Sequence, residues 1–350
     1  MQAGQVFQEK YRIEREIGRG SFGVVYLAQE IESFAWRAIK VLLPWARGMP
    51  AMKHRLKREA KLTRMLRSPN AVRIHDTGET HEGDFYVVME YLRGQELNET
   101  LRQEGKLSYD RALNITRQVL LALQEAHALG VIHRDMKSHN IYICNTPEAR
   151  DQVKVLDFGI AKVAGTDDGS GLMETTRLTD PGGILGTPEY MSPEQCRGEV
   201  LHPASDFYSL AIVTYEMLTG RVPFSDPNPV RVMMMQNSNP LPPLPDKLAN
   251  TPLGRAVNKA LSKDERDRFQ NAAEFLAALE QQAEPIPASP AAGRPTALPA
   301  ATEAPRLISR AGAVRNDGAL HRLRASWSRY AFAIGIGVLL IVLWLAVTYL

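Results

Sequence analysis

Over the first ninety residues, apolar and polar positions alternate in short runs. Residues 11–29 read Tyr-Arg-Ile-Glu-Arg-Glu-Ile-Gly-Arg-Gly-Ser-Phe-Gly-Val-Val-Tyr-Leu-Ala-Gln. This period-two pattern, broken by glycines, predicts two strands joined by a glycine turn. A third strand is expected over 36–42, and two more near 72–77 and 85–90. Between the third and fourth, residues 51–66 place Leu56, Glu59, Leu62, Thr63 and Leu66 near one helical face. An acid on that face needs a cation, because an unpaired buried charge is costly. Lys40, between apolar neighbours in the third strand, is the obvious partner, although taken alone it reads better as a solvent-facing lysine. From Leu97 the period lengthens to that of helices. Residues 108–129 form a long amphipathic pattern with Ser108 as N-cap. Residues 204–219 and 251–280 are also helical, with a proline-rich stretch over 239–246 between them. A strand-rich third followed by a helix-rich remainder makes an α+β chain with two lobes.

The pattern stops near Glu284. Prolines 285, 287, 290, 295, 299 and 305 sit among alanines, which predicts an extended, disordered linker over 281–329. Residues 330–350 then carry no charge. Twenty helical residues span about 30 Å, the thickness of a bilayer's hydrocarbon core, so this stretch is expected to be a single transmembrane helix. Trp327, Tyr330, Trp344 and Tyr349 lie near its two ends, where aromatic belts form. Arginines precede the stretch and no charge follows it. By the positive-inside rule, the preceding chain is expected to be cytoplasmic, tethered to the inner face of the cell membrane.

Charge and cysteine usage narrow the function. The formal net charge of +3 is uneven: residues 285–329 hold seven arginines against Glu303 and Asp317, and residues 1–284 hold 35 Lys+Arg against 37 Asp+Glu. With no polybasic face in the larger part, nucleic acid is not an expected partner. The two cysteines, Cys144 and Cys196, form no CxxC motif, so neither a zinc site nor a disulfide framework is expected.

Candidate chemistry centres on 131–140, Val-Ile-His-Arg-Asp-Met-Lys-Ser-His-Asn. Asp135 lies two residues before Lys137 and five before Asn140, and Asp157-Phe158-Gly159 follows. Phosphoryl transfer needs a carboxylate facing the attacking hydroxyl, oxygen ligands for Mg²⁺ and cations against the phosphates. This stretch supplies three of those groups. Gly18, Gly20 and Gly23 would let backbone approach phosphates without an intervening Cβ. A dinucleotide fold would open a helix there, whereas Val24-Val25-Tyr26-Leu27 continues as strand.

Seven motifs in order make the chain resemble the eukaryotic-like protein serine/threonine kinases, particularly the bacterial membrane-anchored kind, over about residues 8–280. The resemblance implies a two-lobed protein kinase fold, with a small β-rich N-lobe and a larger helical C-lobe. It implies ATP with Mg²⁺, or Mn²⁺ in its place. Ile17 to Val25 matches the loop over the ATP phosphates, and Lys40 the lysine on the α- and β-phosphates, held by Glu59. Asp135 would accept the hydroxyl proton and Lys137 would neutralise the γ-phosphate. Asn140 and Asp157 would ligate the metal. Val25, Ala38 and Tyr142 match adenine-pocket walls, Met89 the back of that pocket, and Glu90 to Leu92 the hinge. Gly186 to Glu194 resembles the substrate-docking stretch, with Thr187 near Asp135 and Lys137. Glu194 would pair with Arg268, and Asp206 would tie the catalytic loop to a central helix.

Arg134 directly before Asp135 implies regulation by phosphate on the loop that follows Asp157. Thr179 is the favoured acceptor, with Thr176, Thr175 and Ser170 behind it. Family analogy adds protein substrates with Ser/Thr acceptors and a homodimer for trans-autophosphorylation. The chain departs from the usual pattern at Met136, Ser138, Ser192 and Ala211, none of which removes a catalytic group. Two alternatives remain, a membrane-tethered pseudokinase scaffold and a small-molecule phosphotransferase. The complete catalytic set speaks against the first and the docking stretch against the second.

Overall fold

A computed structural model of the 350-residue chain describes residues 1–20, 23–42, 57–58, 60–144, 151–158 and 187–281. The strand-rich third forms a six-stranded sheet from β1 (Val6–Phe7), β2 (Tyr11–Gly20), β3 (Gly23–Glu30), β4 (Trp36–Leu42), β5 (Ile74–Glu79) and β6 (Phe85–Glu90). The strand order is β1-β2-β3-β4-β6-β5, with every pair antiparallel. Period-two alternation sorts the side chains. Ile13, Val24, Tyr26, Ala28, Ile39 and Val88 share one core. Leu42, Ile74, Phe85 and Val87 pack on the other face with Ala60 from a helical run at 60–64. Lys40 lies opposite Val87 in the register, two residues from Leu42, and so projects on that second face.

The helical part contains α1 (Leu97–Glu104), α2 (Tyr109–Ala128), α3 (Pro193–Arg197), α4 (Pro203–Thr219), α5 (Pro229–Ser238), α6 (Asp246–Ala249), α7 (Pro252–Ala260) and α8 (Ala272–Glu280). A small antiparallel sheet of β7 (Gly94–Glu96), β8 (Ile141–Cys144) and β9 (Gln152–Val155) lies against them. Ser108 caps α2 by accepting the Arg111 N–H, as its position in the sequence predicts. Helix α4 is apolar on nearly all sides and runs buried through the core, as such a helix must.

The single helical stretch expected over 251–280 is instead two helices. Asp264 turns its carboxylate onto the Arg266 N–H at 3.0 Å, and Asn271 caps α8 through the Glu274 N–H at 2.9 Å. Short polar side chains that satisfy nearby backbone groups compete with helix. The break lets Arg268 turn inward.

The two parts are stitched behind the site. Val72 N–H donates to Val155 O at 2.9 Å, and Val155 N–H to Asn70 O at 2.7 Å. Glu125 of α2 accepts the N–H groups of Arg67 and Ser68 at 2.8 and 2.6 Å. No helix among the described residues is long and apolar enough to cross a membrane. The stretch 330–350 and nearly all of the predicted linker lie outside the described residues.

Candidate active site

The loop between α2 and β8 carries Asp135, and its backbone is held by a buried carboxylate. Asp206, 1 % exposed on α4, accepts the N–H groups of His133 at 2.8 Å and Arg134 at 2.9 Å. It also meets His127 Nε2 at 2.7 Å. Burial opposes its charge, but the bond from His127 and the nearby histidines hold its pKa below the usual carboxylate value. His133 is fully buried, and burial pushes its pKa down, which favours the neutral imidazole. Its bonds fit that state. Nε2–H donates to Leu156 O at 2.8 Å, and Nδ1 accepts the Asp135 N–H at 3.2 Å.

Asn140 donates its amide N–H to the Asp135 carbonyl at 2.7 Å and to Asp135 Oδ2 at 3.1 Å. Its carbonyl Oδ1 is then the atom left for a cation. Lys137 Nζ stands 3.0 Å from Asp135 Oδ2 and donates to Thr187 Oγ1 at 3.4 Å. A carboxylate, an ammonium, an amide and a hydroxyl from two distant segments therefore converge.

Across the cleft, Lys40 Nζ donates to Asp157 Oδ2 at 2.7 Å. Asp157 has φ +53°, the left-handed region that a non-glycine residue enters only under constraint. The next residue, Phe158, is fully buried and packs edge-on to His133 at 5.0 Å. Lys40, Thr63, Val72, Met89, Asp157 and Phe158 line a pocket there. Glu59 lies outside the described residues, so its expected pairing with Lys40 is not described.

The three glycines differ in role. A Cβ on Gly20 would meet nothing within 4 Å, and one on Gly18 only Val25 Cβ at 3.9 Å. Both leave open space beside the backbone. A Cβ on Gly23 would lie 2.5 Å from the Val41 carbonyl oxygen, so this glycine is needed for packing within the sheet. Ile17 is half-buried on β2, and Val25 pairs in register with Lys40. Ala38, 7 % exposed, pairs with Met89. Glu90 accepts from Lys154 Nζ at 2.7 Å and from the Arg73 N–H at 2.8 Å, so its side chain braces the connector. Leu92 is half-buried beyond it, and Tyr142 donates its hydroxyl to Gly94 O at 2.8 Å.

Glu194 and Arg268 meet in a buried, two-pronged pair at 2.8 and 2.9 Å. Burial works against the Glu194 charge, but Arg268 overcomes it and draws the pKa down to about 2. Arg268 further donates to Ser262 O and Lys263 O at 2.8 and 3.0 Å. Arg134 has φ +65°. Ser170, Thr175, Thr176 and Thr179 lie outside the described residues.

Two polar clusters at the site have no counterpart in the sequence expectations. Tyr190 donates to Glu216 at 2.8 Å and meets Ser138 Oγ at 2.9 Å, so Ser138 has a buried partner network of its own. Gln195 caps α3 together with Ser192 and reaches the Arg134 carbonyl. The spacing Ser-x-x-Gln could have revealed the cap. Nothing in the sequence announced its reach to the loop.

Residues 11–278 match the family model described as "Protein kinase domain". The serine/threonine-protein kinase pkn3 of Myxococcus xanthus is 38 % identical over 282 residues, which cover 79 % of this chain and 50 % of that protein. PknA of Mycobacterium tuberculosis is 35 % identical over 320 residues, 88 % of this chain and 71 % of the relative. PknB of Mycolicibacterium smegmatis is 36 % identical over 326 residues, 91 % of this chain and 50 % of the relative. The chain thus spans about half the length of pkn3 and of PknB. The crystal structure of the Mycobacterium tuberculosis PknI kinase domain aligns with a TM-score of 0.60 at 25 % identity, over 80 % of this chain and 98 % of that one. On these matches and this fold, the chain belongs to the protein kinase domain family, among the bacterial serine/threonine protein kinases of eukaryotic type.

Proposed function

We propose that this chain transfers the γ-phosphoryl group of ATP to serine and threonine hydroxyls of proteins, with Mg²⁺ as the metal and Mn²⁺ able to replace it. The observation that carries this reading is the meeting of Asp135, Lys137, Asn140 and Thr187 at hydrogen-bonding distances. Asp135 orients the acceptor hydroxyl and takes its proton. Lys137 sets its charge against the transferring group, and Thr187 fixes that ammonium from the docking side. Lys40 supplies the cation for the inner phosphates. The open space beside Gly18 and Gly20 suits phosphate oxygens close to the backbone.

Asn140 Oδ1 and Asp157 are hard oxygen donors, the kind Mg²⁺ takes. Among the described residues no cluster of three or more His, Cys, Asp or Glu could hold a metal. Asn140 Oδ1 and Asp157 would hold the cation, with phosphate oxygens and water completing its shell. When bound, Mg²⁺ with ATP supplies the electrophilic phosphorus and the leaving group. The protein's part is position and charge.

The tether belongs to the same reading. The uncharged stretch 330–350 anchors the chain in the inner membrane, with the kinase domain on the cytoplasmic side. Autophosphorylation between two copies at Thr179, Thr176 or Thr175 raises activity through Arg134. Removing residues 285–350 is expected to move the protein to the soluble fraction, and persistent membrane binding would contradict that anchor. Peptide mapping of an active preparation that finds no phosphate between Asp157 and Thr187 would contradict the switch. The complete set of Lys40, Asp135, Asn140 and Asp157 favours catalysis over a scaffold role. Tight ATP binding without any transfer would reverse that order.

A further inference from the structure

We infer that Gln195 is a positioning residue for Asp135, acting through the backbone of Arg134 as well as capping its own helix. The proposal rests on the kinase reading above and adds a residue to it. Arg134 sits at φ +65° with a large side chain, in the left-handed region that non-glycine residues rarely adopt. A residue stays there only when its surroundings hold it. Both of its backbone polar groups are held. Its N–H donates to Asp206 Oδ1 at 2.9 Å, and its carbonyl accepts from Gln195 Nε2 at 2.8 Å.

That second bond matters for the chemistry because the Arg134 carbonyl belongs to the peptide unit leading into Asp135. The N–H of the same unit donates to His133 Nδ1 at 3.2 Å. The plane is pinned at its oxygen by Gln195 and at its nitrogen by His133. Its orientation fixes where the Asp135 Cα–Cβ bond points, and so where the carboxylate meets a substrate hydroxyl.

Gln195 is itself held rigidly. It is 8 % exposed, its Oε1 accepts the Ser192 N–H at 2.9 Å, and its own N–H donates to Ser192 Oγ at 3.3 Å. The cap uses the oxygen of the amide and leaves the NH₂ for Arg134. Glutamate could fill the first role but not the second, since an ionised carboxylate only accepts. This division separates capping from positioning. Ser192, where the family usually has alanine, thereby acquires a role: it locks the glutamine that reaches the loop.

The test uses the full chain in mild detergent, with ATP, Mg²⁺ and dephosphorylated casein as acceptor. Gln195→Glu keeps the cap oxygen and loses the donor, Gln195→Met loses both, and Ser192→Ala loses only the hydroxyl half of the cap. We expect kcat to fall about 10- to 100-fold in both Gln195 variants, since a misplacement near 1 Å costs about that much. KM for ATP should stay within about two-fold, while the Gln195→Glu melting temperature should fall, because a carboxylate oxygen would face the Arg134 carbonyl. Ser192→Ala keeps the Gln195 donor and should lower kcat less than either Gln195 variant. A purely capping role predicts the reverse order, with Gln195→Glu fully active, and that result overturns the proposal. If Gln195→Glu does not fold, the comparison of Gln195→Met with Ser192→Ala decides, equal kcat in the two being the contradicting result. A wild-type chain that binds ATP but transfers nothing would instead overturn the kinase reading on which this rests.

Discussion

Asp206 grips Arg134 by its backbone, with Arg134 N–H donating to Asp206 Oδ1 at 2.9 Å across 72 positions of sequence. The same carboxylate holds His133 N–H and His127. Three donors converge on one buried acceptor, so Asp206→Ala would leave all of them without a partner inside the core. We expect a loss of about 3 kcal/mol or more. Chemical denaturation should register it as a lower midpoint at an unchanged slope.

Glu194 and Arg268 give a pH-dependent prediction. The folded pKa of Glu194, about 2, lies below its ordinary carboxylate value of 4.5. A depressed acid contributes stability that is present above the unfolded pKa and lost as pH falls through the folded one. The pair's contribution, about 3 kcal/mol from the size of that shift, should therefore fade between pH 4.5 and pH 2. Glu194→Gln should flatten the stability profile in that window while lowering stability at neutral pH. An unchanged profile in the variant would contradict the assignment.

Lys40 and Asp157 should separate catalysis from stability. The pair is partly solvated, with side chains 15 % and 37 % exposed, so its loss should cost at most about 1 kcal/mol. Lys40→Met should still lower phosphate transfer by about 10²- to 10³-fold, because a cation aimed at phosphate oxygens acts most strongly in the transition state. Melting temperature and single-turnover transfer, measured on the same preparation, would show the two effects apart.

Tyr190→Phe removes one hydroxyl that serves two partners, the buried Ser138 and the half-buried Glu216. Burial raises the Glu216 pKa, and the bonds from Tyr190 and Ser138 partly offset this. Without Tyr190 the acid is expected to rise further and the protein to lose about 1–3 kcal/mol. Ser138→Ala leaves the Tyr190–Glu216 bond in place and should cost less. Denaturant titration of both variants at one pH checks the order.

Much of this architecture was legible in the sequence because its causes are local. Alternation marked the strands, Ser108 marked a helix start, and the spacing of Asp135, Lys137 and Asn140 marked three polar groups that the fold brings into contact. What could not be read depends on contacts between distant segments. The break between α7 and α8 arises because Asp264 and Asn271 find local partners while Arg268 is drawn to Glu194. Gly23 sits in a phosphate-loop pattern, yet its lack of a side chain serves the approach of Val41. Glu90 was expected only as part of the hinge, and its carboxylate braces Lys154 and the Arg73 N–H. Gln195 was not singled out, since its reach to the Arg134 carbonyl joins segments 61 positions apart. The uncharged stretch 330–350 and the phosphorylation candidates fall among residues that the structure does not describe.

The most direct test of the central claim is ATP-dependent phosphate transfer by the full chain with Mg²⁺, run beside Asp135→Asn, with the modified sites read by mass spectrometry. Asparagine keeps the shape of the carboxylate but cannot take the hydroxyl proton. The account predicts phosphate on serine and threonine in the wild type. It predicts at least about 10³-fold less in the variant, with ATP affinity little changed. Equal transfer by both proteins, or none by the wild type despite tight ATP binding, would contradict it.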